Sequence, residues 1–524
     1  MRLKPPHPGS LVALAILALV AGGFLALLQT GSEGSNLLAI GPYLLRVLAF
    51  SLIQAGISTI LSLSFGVALA LALTRRRFLG REPLLALLGT TMVMPTIVVV
   101  FAVLTVYGRS GWLAQLLIGF GIDAPLSIFG YPGILIAHVF LNAPFVAKIA
   151  LDALGTVPAE QWRLASSLGF GPSQIFRHLD WPVLRAEISG LASLVFLLCF
   201  KSFAIVLALG GGPGRATLEV AIYEALKVDL DFARAASLSL VQIAICLTIT
   251  LLLHGTLARP PVATTLRGAI PRPDAADRRL RALDFVVLSI GLLFIGPLVL
   301  SILTGFSHIG AITELDLLQA LVTSLGIAAT AATLACCLAL FLGAAARNRR
   351  IVLRSPRTAA LFDLIPSLLL AMPPFALTAG LYLIVRPFAD PSLAGLALLP
   401  LINGLASLPF VYRSVAPRLM LAEERYGRLS SALGLEGLAK LRIVDWPLLQ
   451  RPLGSAFALA MALSFGDFGI IALFGGAELR TLPYLLYERL GAYRFEEASA
   501  IGLIIVLVAF FLARLSGRLS YARD

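Results

Sequence analysis

Two ionisable residues stand inside segments otherwise fit for a lipid interior: Lys201 in FLLCFKSFAIVLAL (196–209) and Asp467 in SFGDFGIIALF (464–474). A charge at membrane depth costs about 2.5–3.5 kcal/mol on insertion scales, so it marks a pathway, a buried ion pair or a head group reaching back to the interface. No other constellation in the chain points to bond-making chemistry. A nucleotide-cradling loop of the form GxxxxGK[ST] is missing, and the nearest glycine run, Gly210-Gly211-Gly212-Pro213-Gly214-Arg215, lacks its Lys-Ser/Thr ending and reads as a flexible lip or turn. The five histidines are scattered without metal-ligand spacing, so neither a metal site nor a catalytic residue is expected. Cys199, Cys246, Cys336 and Cys337 all fall in apolar runs and read as small buried hydrophobes.

The elements that must position these charges are membrane spans. Of 524 residues, 59% are hydrophobic and 13% charged, against about 25% charged in ordinary globular chains, which excludes disordered, collagenous and nucleic-acid-binding classes. A spanning helix needs about 20 mostly apolar residues. Twelve candidate segments satisfy this, near 11–28, 44–73, 84–107, 130–154, 188–209, 236–257, 283–305, 317–346, 360–386, 392–416, 454–475 and 498–517. The first follows Arg2 and Lys4 but carries no convincing cleavage site and reads as an anchor. The stretch 112–122 is too short to span and is expected to lie at the interface or dip into the membrane.

The net charge of +13 is concentrated after the even-numbered segments, for example at Arg75, Arg76, Arg77 and Arg81, and at Arg347, Arg349, Arg350, Arg354 and Arg357. The odd-numbered loops are poor in basic residues or balanced by acids. By the positive-inside rule both termini and all the even loops are expected in the cytoplasm.

A Pro- and Arg-rich linker, 258–282, separates two groups of six spans, 1–257 and 283–524. The longest even loop of each group repeats: EQWRLASSLGFGPSQIFRHLDWPVL (160–184) against RYGRLSSALGLEGLAKLRIVDWPLL (425–449). A constant offset of 265 residues relates Gly169 to Gly434, Asp180 to Asp445, Trp181 to Trp446 and Pro182 to Pro447. The same offset relates Pro144-Phe145 to Pro409-Phe410 and Phe203 to Phe468, so the chain is a tandem duplication with both halves in one orientation. Each loop reads as helix, turn, helix, with the glycine ending the first helix. An ordinary amphipathic connector would explain one copy; two at equivalent positions favour paired docking sites for a two-fold partner.

The loop resembles the cytoplasmic "EAA" loop of ABC-importer membrane subunits, with Gly169 and Gly434 at the glycine position and Pro182 and Pro447 at the proline position. The EAA triplet itself is degenerate, Leu164-Ala165-Ser166 and Leu429-Ser430-Ser431, and Trp replaces Leu before the proline. The resemblance implies coupling helices near 170–179 and 435–444 that seat in a cytoplasmic ATPase, with Leu168, Gly169, Gly171, Ile175, Phe176, Leu433, Gly434, Gly437 and Leu438 as contacts. Segments 196–226, 231–242, 368–383 and 464–494 further resemble the fused twelve-span permeases of bacterial thiamine and thiamine diphosphate importers; fused ferric-iron permeases share the architecture.

What the resemblance implies is an all-α polytopic membrane protein, with about twelve transmembrane helices in two tandem six-helix units of the type I, MetI-like kind. It further implies a translocation subunit, not an enzyme, in the bacterial inner membrane. ATP and Mg belong to two copies of a separate ATPase, and a periplasmic binding protein delivers thiamine or its phosphates; ferric iron or another small cation is the alternative. An ion-gradient-driven carrier would not need duplicated docking loops.

On this reading Lys201, Ser202, Phe203, Asp467 and Phe468 are the candidate pathway, with Asp467 and its aromatic neighbours facing a cationic thiazolium. A Lys201–Asp467 pair or snorkelling is the competing expectation. Loops 210–235 and 476–497 match with a one-residue shift, and Glu219, Tyr223, Glu224, Tyr487 and Glu488 are the candidates for an outer gate and binding-protein contact. Asn142 and Gln242 are expected to hydrogen-bond between helices. Met94-Pro95 and Met372-Pro373-Pro374 are expected to kink their spans.

Overall fold

The computed structural model describes residues 8–34, 41–90, 94–122, 127–253, 272–311, 314–435, 437–476 and 478–521. The linker portion 258–271 lies outside the described residues. All regular elements among the described residues are helical. Eleven helices there are long and apolar enough to cross a membrane, and a twelfth crossing is formed if the pair Pro356–Ala371 and Pro374–Val385, bent by 95°, counts as one broken span.

Proline positions explain where the spans depart from the expected bounds. Pro95 precedes the helix Thr96–Tyr107, and the apolar segment that follows runs Thr96–Gly119, taking in the short helix Trp112–Gly119 instead of ending at 107. Pro373 and Pro374 impose the bend in the second half. Both breaks sit in the third apolar segment of their half.

Two further interruptions went unseen in the hydropathy. The helix Trp181–Phe200 stops at Lys201 and resumes as Ala204–Leu209, and the helix Trp446–Phe465 stops at Gly466 and resumes as Gly469–Phe474. Lys201 and Asp467 therefore occupy non-helical corners. Irregular backbone at membrane depth is tolerated only where protein or a cavity surrounds it.

The halves interlock. Helix Pro8–Gly34 packs on Pro374–Val385 and Glu314–Arg347 of the second half, while Arg278–Leu303 packs on Gly41–Arg75 and Thr96–Tyr107 of the first. Glycines permit close crossings: Gly380 lies so near the carbonyl oxygen of Gly23 that a Cβ there would have no room. Small residues of this kind let helices approach where lipid leaves no hydrophobic drive between them. One continuous apolar core results, drawn from both halves. Cys199, Cys246 and Cys336 are buried in it, but Cys337 is exposed on the outer face of its helix, contrary to expectation.

Candidate functional site

The four interruptions converge on a cavity of about 460 Å³ between the halves, a volume within the range of about 300–1,000 Å³ usual for small-molecule sites. Pro95, Lys201, Glu219, Phe375, Asp467 and Phe468 are among the residues that line it. Lys201 and Asp467 share the cavity, yet they form no ion pair with each other. Lys201 Nζ donates to the carbonyl of Leu370 at 3.1 Å. In an unbroken helix that carbonyl would accept from residue 374, which is proline and has no N–H. Lys201 of the first half thus satisfies the carbonyl that the second half's broken helix leaves free.

The equivalent position, Gly466, has no room for a side chain, since a Cβ there would meet Pro95 at 2.8 Å. The second half's corner therefore presses against the first half's proline break instead of reaching for it. Asp467 turns back on its own helix, accepting from the Ile470 N–H at 3.2 Å. Asn403, next to it, donates to Ser464 Oγ at 3.0 Å.

An aromatic cluster contributes to the cavity wall through Phe203, Phe375 and Phe468. Phe203 and Phe468, one from each half, stack with centroids 6.0 Å apart. Tyr223 packs edge-on against Phe203 at 5.2 Å and Tyr487 lies tilted against Phe468 at 4.9 Å, giving a row of four rings. Phe375 adds a fifth at 4.8 Å from Phe203. Phe203 and Phe468, assigned to the pathway, and Tyr223 and Tyr487, assigned to the outer gate, thus form one cluster. The one-residue shift between the outer loops has a structural counterpart: the Leu218 N–H donates to Ser51 Oγ at 3.1 Å, and the Leu482 N–H donates to Ser324 Oγ at 2.8 Å.

Glu219 departs from its expected place. It is 2% exposed and accepts from Gln242 Nε2 at 2.8 Å, so it faces inward and presents no surface to a binding protein. The bond confirms Gln242 as an interhelical link. Asn142 donates to its own helix at His138 O and, at 3.4 Å, to Cys199 Sγ across a helix boundary. Glu224 and Glu488 are half-buried, and Glu488 lies 3.8 Å from Arg480. Burial holds the Glu224 carboxyl above its ordinary range. Lys227, which motif reading missed, donates to the carbonyls of Ala472, Leu473 and Gly475, and so caps the last turn of Gly469–Phe474 from the other half. Cations suit helix C-termini, where free carbonyls gather.

The duplicated loops keep their backbone frame. Gly169 and Gly434 have φ of 65° and 66°, the left-handed conformation that ends a helix. Phe170 N–H donates to Ala165 O at 2.9 Å and Leu435 N–H to Ser430 O at 2.8 Å, closing the same motif in both. Each loop then passes through a π-helical turn, Phe176–Asp180 and Leu441–Asp445. Leu168 is 60% exposed, Phe176 42%, Leu433 65% and Leu438 82%, a pair of apolar surfaces on equivalent turns. Gly169, Gly434 and Gly437 are exposed with them, and Gly171 is half-buried.

Ile175 is a correction to the expected contact set. It is fully buried against Val157, Trp162, Ala165 and Leu179, and it supports the loop from within without facing a partner. Asp180 and Asp445 are both buried and ion-paired. Arg272 of the linker grips Asp180 at 2.9 and 2.7 Å, also binds Asp274, and lies 4.5 Å over the Trp162 ring. Arg347 grips Asp445 at 2.8 Å to both oxygens.

Comparison with known proteins places these features. Residues 62–259 match the family described as binding-protein-dependent transport system inner membrane component. The chain is 40% identical to the thiamine transport system permease protein ThiP of Brucella melitensis biotype 1 over 99% of this chain and 96% of the relative. It is 38% identical to that of Escherichia coli K12 over 96% and 95%. The corresponding figures for Haemophilus influenzae are 34%, over 98% and 96%. Two interlocked sets of membrane helices, a cavity between them and a duplicated loop thus belong to a known architecture: the chain is a member of the ThiP family of binding-protein-dependent, multi-pass membrane permeases.

Proposed function

We propose that this chain is the translocation subunit of an ATP-driven importer of thiamine, accepting substrate from a periplasmic binding protein and passing it between the two halves by alternating access. The observation that carries the reading is the cavity itself. It joins a carboxylate, Asp467, to a row of aromatic rings from both halves, which suits a flat organic cation by charge and by cation–π attraction. The near-full-length likeness to permeases named for thiamine transport supports the same substrate.

In this mechanism the aromatic row Tyr223, Phe203, Phe468 and Tyr487 is the outer gate, closed as it stands, and the loops 210–235 and 476–497 receive the loaded carrier. The basic loops and both termini face the cytoplasm. Two ATPase subunits, which hold ATP and Mg, dock on the surfaces of Leu168 and Phe176 in one loop and Leu433 and Leu438 in the other. Closure of the ATPase pair on ATP brings the two loops together and opens the row. The loaded carrier must bind the outward-open form more tightly than the inward-open one, because only a difference in affinity shifts such an equilibrium. Asp467 then meets the thiazolium while Lys201 stays on the Leu370 carbonyl.

Proteoliposomes containing this chain, its ATPase and its binding protein test the reading. Thiamine is expected to accumulate only with internal ATP and loaded carrier. Uptake driven by an ion gradient without the ATPase, or a carrier that arrives loaded with iron, contradicts it.

A further inference from the structure

The wall of the cavity that belongs to the first half is polar in a way the second half does not repeat. Besides Lys201 it carries His138 and Glu219, each 2% exposed. His138 shares a hydrogen bond of 2.9 Å with Ser58 through Nδ1, and its Nε2 has no partner. Glu219 accepts from Gln242 through Oε1, and its Oε2 has none. Lys201 commits one proton to Leu370 and lies within coulombic reach of Glu219.

At the equivalent places the second half has Asn403, already donating to Ser464, then Gly466 and Pro483; opposite Gln242 stand the apolar Ile505, Val506 and Leu507. Buried polar atoms left without partners are costly, and native proteins keep few of them without a use. Here two belong to His138 and Glu219, which line the cavity together with Asp467 and Phe468.

We propose that His138 and Glu219 form a hydrogen-bonding subsite for a neutral planar nitrogen heterocycle bearing an amino group next to a ring nitrogen. The inference rests on the thiamine reading above, in which that heterocycle is the 4-aminopyrimidine ring. The substrate then lies across the cavity, its cation against Asp467 and the aromatic rings, its pyrimidine edge against the first half. Glu219 Oε2 accepts from the exocyclic amino group, and His138 Nε2 meets a ring nitrogen. Selectivity arises because a polar edge that fails to match leaves these groups unpaired, a stronger discrimination than apolar contact gives.

The test uses the permease–ATPase complex in nanodiscs, without the binding protein, so that only this chain's selectivity is read. Thiamine and its analogue with oxygen in place of the 4-amino group are the probes. The wild type is expected to bind thiamine at least tenfold more tightly than the 4-oxo analogue. Glu219→Leu and His138→Leu should each reduce that ratio below threefold.

Glu219→Gln retains size and the Gln242 contact but turns the free acceptor into an N–H donor, and should favour the 4-oxo analogue. Asp467→Asn should weaken both ligands alike. Co-purified ATPase identifies folded variants. A wild type that transports thiamine but shows no such preference, or a Glu219→Gln variant that keeps it, overturns the subsite alone. A wild type that neither binds nor transports thiamine overturns the thiamine reading itself.

Discussion

The two duplicated loops share backbone, length and terminal Asp-Trp-Pro, yet they are held by opposite means. In the first, Pro158 ends the preceding turn, a separate helix Ala159–Ser167 begins, and Ile175 and Trp162 close a small apolar core. In the second, the residues at the same offset are Glu423, Lys440 and Gly427. Without the proline, one helix runs unbroken from Pro391 to Ala432. Lys440 Nζ donates to Glu423 at 2.6 Å, Arg347 lies 3.6 Å from the same carboxylate, and Gly427 leaves the space that it occupies.

Apolar packing in one copy has become an ion network in the other. The aspartates show the same divergence. Asp445 is held by Arg347 at the end of its own half's second apolar segment. Arg75 and Arg76, at the corresponding end in the first half, bind Asp284 of the second half's opening helix instead. The linker's Arg272 takes their place on Asp180. The two copies thus share the shape of the turn but differ in its support, and the first loop depends on the linker's Arg272.

Removing the hub of the ion network should have the largest effect. Arg347→Met strands the buried Asp445 and leaves Glu423 to Lys440 alone, a loss of about 3–5 kcal/mol for a broken buried pair, and ATPase co-purification should fall to background. Arg272→Met strands Asp180 and Asp274, but the apolar core remains, so co-purification should drop several-fold without vanishing. An equal loss in both variants would break the comparison.

Ile175→Ala should destabilise the first loop by about 2–4 kcal/mol, seen as faster amide exchange over 159–180. Lys440→Ala should cost the second loop less, because Arg347 still faces Glu423. Gly169→Ala and Gly434→Ala should have small and equal effects, about 1–2 kcal/mol each for a non-glycine left-handed residue, read in the same exchange experiment. Unequal values would mean that the turns differ beyond their supports.

The sequence carried the architecture further than the contacts. Apolar length was enough for about twelve helices, because lipid forces the backbone to satisfy its own hydrogen bonds. The interruptions after Phe200 and Phe465 were hidden because hydropathy averages over backbone breaks.

An apolar residue on a short amphipathic turn faces either a partner or its own loop, and for Ile175 only Trp162 beneath it decides. Glu219 reads as a surface acid because a glutamate in a charged loop usually is one; the contrary signal is Gln242, its buried partner 23 residues away. The exchange of arginines was out of reach, since nothing in the spacing says that Arg75 serves the other half.

The central claim is that substrate passes between the halves through the Phe203–Phe468 contact. Its most direct test is a variant with Phe203→Cys and Phe468→Cys in a background where the four native cysteines are replaced, bridged by a short thiol-specific cross-linker in proteoliposomes. Bridging should abolish thiamine uptake, reduction of a cleavable bridge should restore it, and ATPase co-purification should be unchanged throughout. Full uptake by the bridged protein would contradict the account, because the path would then have to bypass the row of rings.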